Sequence, residues 1–307
     1  MDDDRSDVDV ANRAKWINDR IDTTKPHPAR VYDVFLGGRD NYPVDRAAAR
    51  AALAVNPRGY LNIWHNRDFV RRAVTRLAQD VGIRQFLDIG TGLPTAENVH
   101  EIAQRIAPQS RVVYVDNDPV VLTHARALLT SGPGGATNYL DADLSDPDTI
   151  LREAAQTLDF DEPIALVLAA ILHFVEDDVA YDVVARLADS LTSGSYLVLS
   201  HLTLDLNPEA ERRVAKTYHE LGMTFVMRSK DEVLRFFRSN GLELIEPGIV
   251  PAHHWRPDHR PWPLSLSSSA ETDLLDHLEP IERIRYQDIN DVTDADVSVY
   301  GAVARKP

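Results

Sequence analysis

Apolar residues recur along this chain with two different periods, and the changes from one period to the other outline a fold. Phe69, Ala73, Leu77 and Val81 lie four apart while Val70, Val74 and Ala78 fill the adjacent row, which predicts a helix over residues 66–81. Gly82 supplies its stop, because glycine enters the left-handed conformation that ends a helix without strain. Short β-like runs then alternate with helical ones. Strands are predicted at 85–89, 111–115, 138–140, 164–170 and 195–200, and helices at 95–107, 147–158, 178–191 and from Pro119 onward. Asp118 caps the last of these, and Pro119 opens it at the position where a missing N–H costs nothing. The 164–170 run is apolar throughout, as a strand covered on both faces requires. This succession predicts a doubly wound α/β sheet with its ligand crevice at the carboxyl ends of the strands.

The two ends of the chain depart from that rhythm. Residues 1–28 are polar and rich in Asp, with one amphipathic stretch around Trp16, Ile17 and Ile21, and read as an acidic tail with a short helix. A helix at 231–240 stops at Gly241, after which 242–249 and 297–304 are strand-like with no crossover helix between them, so they are expected to pair as an antiparallel hairpin. Between them, 264–295 is too long for a simple turn and reads as an acidic insertion with a short helix at 271–278.

Composition narrows the chemistry. The chain of 307 residues carries 33 Lys+Arg against 48 Asp+Glu, a net charge of −15, which argues against a surface built for nucleic-acid phosphates. The absence of Cys excludes disulfides, thiolate metal sites and thiol nucleophiles. The opening MDDDRSDVDV lacks the basic and apolar regions of a secretory leader. The longest apolar run, 164–172, is far short of the roughly 20 residues of a membrane span. The expectation is a soluble, cytoplasmic protein with a small-molecule partner and no membrane or nucleic-acid partner.

The most informative segment is LDIGTGLPT, residues 87–95, an apolar strand running through two glycines into a helix start. Gly90 and Gly92 let the backbone approach a ligand closely, and the helix start offers free N–H groups. Asp116 ends the next strand 24 residues after Gly92, where a carboxylate can accept both hydroxyls of a ribose. Asp141 and Asp143 follow the third strand. Two cofactors share this geometry. A dinucleotide wants a third glycine where Thr95 stands. S-adenosylmethionine has no phosphates to cradle and wants acidic residues at the ribose and adenine; the terminal antiparallel pair also favours it.

With these residues in view, the chain resembles the class I S-adenosylmethionine-dependent methyltransferases, and specifically an actinobacterial S-adenosyl methyltransferase family once catalogued as a domain of unknown function. The resemblance rests on ARVYDVFLGGRDNYPVDR (29–46), NRDFVRRAV (66–74), QFLDIGTGLPTAENVH (85–100), VVYVDNDPVVLTHARALL (112–129), YLDADLSDP (139–147), ILHFV (171–175), GSYLVLSH (194–201) and YGAVARKP (300–307). It implies a Rossmann-like, seven-stranded sheet with an antiparallel terminal strand. Residues 29–307 would form one domain, with a helical lid at 29–65 and the insertion between the last two strands. The cofactor would be S-adenosyl-L-methionine, and the product S-adenosyl-L-homocysteine. By the same resemblance Asp88, Gly90, Thr91 and Gly92 line the methionine portion, and Asp116 holds the ribose with Asn117 beside the adenine. Asp143 and the Leu144 N–H bond the base, and a lid around Tyr32, Gly37, Gly38, Asn41 and Tyr42, with Arg67, folds over the cofactor. Pro94 stands where a third glycine is often found, which alters how the amino-acid end is held.

Methyl transfer is an in-line displacement that needs a base only for poorly acidic acceptors. Candidates follow the fourth and fifth strands: His173 and His201, the latter preferred because it would sit across from the methyl group. His253 and His254 invite a metal reading, but neighbours on a strand point to opposite faces, so no metal site is expected. Arg71 and Arg72 read as the solvated face of the 66–81 helix. Two other readings of the cleft stand beside the methyltransferase: a non-catalytic cofactor-binding regulator, since no catalytic residue is obligatory, and an NAD-dependent oxidoreductase, against which Thr95 and the terminal strand pair count.

Overall fold

The computed structural model describes residues 20–94, 97–128, 134–258, 278–284 and 289–307. The predicted tail helix up to residue 19 and the helix at 271–278, apart from Leu278, lie outside the described residues. Five parallel strands form the heart of the sheet: β1 (Gln85–Ile89), β2 (Arg111–Asp116), β3 (Ala136–Asp141), β4 (Ala165–Ala169) and β5 (Tyr196–Leu202). Three more complete it, β6 (Glu243–Leu244), β7 (Val250–Pro251) and β8 (Val299–Arg305), in the order β3-β2-β1-β4-β5-β8-β6 with β7 also on β8.

Strand β8 runs antiparallel to β5, from Tyr196 opposite Arg305 to Leu202 opposite Val299. It therefore lies inside the sheet, between β5 and the short β6 and β7, and is more than half of a terminal hairpin. Of the strand expected over 242–249 only Glu243–Leu244 forms, and a second short strand, Val250–Pro251, follows just beyond it. Pro247 lacks an N–H, Gly248 adopts φ 79°, and its N–H turns back to Ile245 O at 2.9 Å, so among the described residues the sheet has eight strands where the resemblance implies seven.

Alternation along the buried strands splits the core into two layers. Phe86, Val112, Tyr114, Val167 and Val198 face the layer that holds Phe69, Ala73, Leu77 and Ile102. Leu87, Val113, Leu166, Leu168 and Leu199 face Ile150, Val184, Leu187 and Phe236 on the other side. Covering both faces explains the continuous apolar runs.

The first five helices are α1 (Pro28–Phe35), α2 (Pro43–Val55), α3 (Tyr60–Arg76), α4 (Val99–Ile106) and α5 (Pro119–Leu128). Helix α3 starts six residues before the expected 66 and closes in a wide π turn, Leu77–Val81, ended by Gly82 at φ 88°. Helix α4 starts at Val99, later than expected, because Asn98 and Glu101 build a capping box there. Downstream come α6 (Pro147–Ala154), α7 (Asp177–Asp189), α8 (Pro208–Glu220), α9 (Lys230–Arg238) and α10 (Pro280–Arg283). No described helix is long and apolar enough to cross a membrane.

Two surface expectations change here. Arg71 and Arg72 are buried: the helix face that carries them packs under residues 252–258, where both pair with Asp68, Arg71 also with Asp258, and Arg72 Nη2 donates to Ala252 O at 2.9 Å. Nor do His253 and His254 lie on a strand. They occupy a 3₁₀ turn, Ala252–His254, so their rings lie side by side with centroids 4.0 Å apart.

Candidate active site

A cavity of about 410 Å³ opens at the carboxyl ends of β1, β2 and β4. Its walls bring together Asp88, Gly90, Thr91, Gly92, Asp116, Asn117, Asp143, Leu144, Tyr32 and Arg67. Parallel strands end on this side, and their last side chains and following turns therefore converge.

The glycine turn is built by backbone demand. Gly90 has φ +73° and a Cβ there would meet Ile171 Cγ1 at 2.6 Å; Gly92 has φ +66° and its missing Cβ faces open space. The Gly90 N–H donates to Val115 O at 2.8 Å, tying the turn to β2. Asp116 completes the clasp, accepting from the Gly92 N–H at 2.8 Å and the Asp118 N–H at 3.0 Å through different oxygens. Burial raises its pKa, against the pull of those two N–H groups. Asp88 lies deeper: burial lifts its pKa to about 7 although Arg67 and a Thr91 hydrogen bond oppose the rise. At the far end Asn117 Nδ2 donates to Asp143 Oδ2 at 2.8 Å, and Ser145 holds the other oxygen.

The lid expectation divides. Tyr32 lines the cavity, its hydroxyl donating to Ile63 O at 3.1 Å and accepting from Asn66 Nδ2 at 2.9 Å. Gly37 and Asn41 do not line it. The turn that holds them wraps the buried carboxylate of Asp33, which accepts from the Asp40 N–H at 3.0 Å and Asn41 Nδ2 at 2.8 Å. A Cβ on Gly38 would fall 1.8 Å from Asp33 Oδ1, so this glycine is needed by the turn itself. Tyr42 packs with Leu93 and Val120.

Sequence reasoning missed part of the wall. His27 comes from the segment before α1, and its Nδ1 lies 3.1 Å from Asp118 Oδ2. Met223 and Thr224 come from the loop after α8, and no motif marks any of these three. Ile171, Phe174 and Val175 follow β4 directly, and the rule that ligands sit beyond strand ends would have included them.

A second, smaller chamber of about 50 Å³ adjoins the first, sharing Pro28, Tyr32, Asn66, Ala170 and Phe174 with it. His173 and His201 both line the chamber, with rings 5.5 Å apart. The surroundings of His201 do not suit a base. It is fully buried, its Nδ1–H donates to Leu202 O at 2.7 Å, and its Nε2 takes a hydrogen bond from Arg228 Nη1 at 2.8 Å. Burial and Arg228 lower its pKa to about 3, and neither nitrogen keeps a lone pair for a substrate proton. His173 is also held neutral, by burial and then by His201 and Arg228, but its buried Nδ1 has no hydrogen-bond partner.

The pieces fit S-adenosylmethionine. The cavity has the size of a cofactor site, its glycine turn leaves a side-chain-sized gap at Gly92, and acidic groups stand at its middle and both ends. Comparison with known proteins agrees. The family model described as S-adenosyl methyltransferase matches residues 14–307. The crystal structure of a DUF574 family protein from Streptomyces avermitilis MA-4680 is 45% identical with a TM-score of 0.82, covering 94% of this chain and 100% of that one. The crystal structure of a methyltransferase candidate from Thermobifida fusca YX is 37% identical with a TM-score of 0.75, covering 92% and 95% respectively. No curated protein matches the chain. Matched over nearly its whole length, and carrying the cleft that the cofactor requires, the chain belongs to the S-adenosyl methyltransferase family.

Proposed function

We propose that this S-adenosylmethionine-dependent methyltransferase acts on a small-molecule acceptor whose reacting end enters the chamber beside His173. The observation that carries the reading is the shared wall: Tyr32, Asn66, Ala170 and Phe174 belong to both cavities, so an acceptor in one abuts a donor in the other. Among the described residues no Asp, Glu, Lys or Arg lines the chamber, and Asn62 and Asn66 are engaged by Ser298, Glu211, Ser200 and Tyr32. A compact, uncharged group suits such a lining, because an unpaired charge would lose its hydration without compensation.

The bound cofactor supplies an electrophilic methyl group on a sulfonium. The protein's own residues orient and shield. Asp116 holds the ribose hydroxyls, Asn117, Asp143 and Leu144 the base, and Asp88 the cationic end of the methionine portion. Phe174, Phe225 and Tyr218 exclude water from the acceptor side, their rings packed at 4.4 to 5.5 Å. His173 Nδ1 is free to accept a hydrogen bond from an acceptor O–H or N–H and fix its lone pair toward the donor. Residues 29–307 act as one domain in this reading, the helices of 29–65 closing the cleft.

Labelled methyl transfer tests it. The protein incubated with methyl-labelled cofactor and an ultrafiltered bacterial extract should place label in a small, uncharged compound. Homocysteine-product binding without any transfer would favour a regulator instead.

Asp88 makes cofactor binding pH-dependent. Its carboxyl carries a proton below about pH 7, and a cation prefers the ionised form, so binding must expel that proton at low pH. Affinity for S-adenosylhomocysteine should fall by about tenfold per pH unit below 7. In Asp88→Asn the affinity should be weaker at pH 8 and nearly flat down to pH 6. A wild-type profile flat over that range, measured by calorimetry, removes Asp88 from this role.

A further inference from the structure

We propose that His253, His254 and Asp294 form a binding site for one divalent cation of the zinc type, outside the methyl-transfer cleft. The 3₁₀ turn that carries the histidines is fixed on both sides. Ala252 and Trp255 are fully buried, Arg72 Nη2 donates to Ala252 O at 2.9 Å, and Trp255 packs edge-on against Phe69 at 5.3 Å. The turn aims both imidazoles the same way, with 38° between their planes. Asp294 sits opposite, in a second turn that is anchored independently. Thr293 donates twice to Asp296 Oδ2, at 2.9 and 2.8 Å, Asp296 pairs with Arg58 at 2.8 Å, and Asn207 Nδ2 holds Ala295 O at 3.0 Å.

The donors converge. His253 Nε2 lies 3.1 Å and His254 Nε2 2.7 Å from the same atom, Asp294 Oδ1, and all three ligand atoms fall within 4.8 Å of one another. Bonds of about 2.0–2.2 Å around a tetrahedral ion place its donors about 3.4 Å apart, so metal closure needs shifts of about 1 Å or less. His254 and Asp294 are more than half exposed and can rotate by that much, while the mostly buried His253 serves as the fixed ligand. Two imidazoles and one carboxylate suit zinc, nickel or cobalt and not magnesium or calcium, which take oxygen ligands. The competing arrangement is two imidazole N–H groups sharing one carboxylate oxygen with no ion. A cation in their place would tie the end of β7 to the segment that enters β8, clamping together two points 40 residues apart in the chain.

The experiment uses untagged full-length protein, stripped with EDTA and dialysed. Zinc titrated by calorimetry should bind one to one, and a hundredfold excess over Kd should raise Tm by about 3–6 °C. Cobalt should bring out visible d–d bands. His254→Ala and Asp294→Asn change exposed side chains and leave folding intact, and each should weaken zinc binding by at least about tenfold with loss of the cobalt bands. Absence of saturable zinc binding, equal binding by both variants, or an equal response to magnesium overturns the proposal.

Discussion

Asp116→Ala is expected to weaken S-adenosylhomocysteine binding by about 100-fold or more, with the secondary structure unchanged. Two losses combine. In the proposed function the carboxylate at the end of β2 accepts the ribose hydroxyls, and hydrogen bonds to a charged acceptor contribute about 1.5–3 kcal/mol each. The same carboxylate also holds the glycine turn, through the Gly92 N–H at 2.8 Å, and the start of α5, through the Asp118 N–H at 3.0 Å. Alanine frees both N–H groups inside the cleft, and Gly92 loses the contact that fixes its position against β2. The substitution should therefore act on geometry as well as on charge. Asp116→Asn separates the two effects: its single oxygen can keep one of the N–H contacts, so it should fall between wild type and alanine. Calorimetry with the demethylated product reads all three, and circular dichroism checks the fold. Undiminished binding by Asp116→Ala would detach the ribose from this residue altogether.

The same residue shows why the cleft was legible from the sequence. Asp116, Gly90, Gly92 and Asp88 act through the backbone positions they occupy, and those positions follow from local pattern: an apolar run, a forced turn, a helix start. A strand such as 85–89 is matched residue for residue because both of its faces are buried and Gly90 ends it abruptly. Partners distant in sequence were not legible. Nothing near His201 announces that Arg228, 27 residues on, will occupy its Nε2, and the fold alone brings them to 2.8 Å. Gly38 is ambiguous for a related reason. Glycine signals close approach of something, and at this position that something is the Asp33 carboxylate. Arg71 and Arg72 looked solvated because the segment that buries them, 252–258, lies far along the chain. His253 and His254 escape the opposite-face rule of a strand because β7 ends at Pro251 and the chain turns into a 3₁₀ helix over Ala252–His254.

Glu211 should make the protein less stable as pH rises, and Glu211→Gln should abolish that dependence. The residue lies on α8 with its side chain buried, 1% exposed, between Asn56 at the end of α2 and Asn62 of α3, and Oε1 accepts from Asn56 Nδ2 at 3.1 Å and Asn62 Nδ2 at 3.3 Å. Among the described residues no cation is within salt-bridge distance, so burial outweighs the hydrogen bonds from Asn62, Ser298 and Asn56 and raises its pKa from 4.5 to about 7. The folded state thus binds the proton more tightly than the unfolded chain. Its stabilising contribution is complete below about pH 4.5, declines as pH rises, and is gone above about pH 7. The difference amounts to about 3 kcal/mol between those limits. Glutamine resembles the protonated acid: its oxygen keeps both asparagine contacts, and its amide can donate to Ser298 Oγ, which faces the carboxyl group. Urea denaturation at pH 8 should find Glu211→Gln more stable than wild type by about 2–3 kcal/mol, the two converging toward pH 5. Glu211→Ala, which leaves the asparagine amides without their acceptor, should be less stable than glutamine at every pH. A glutamine variant no more stable than wild type at pH 8 would mean that water or a backbone shift already solvates the carboxylate, and that α8 yields where it packs on α2.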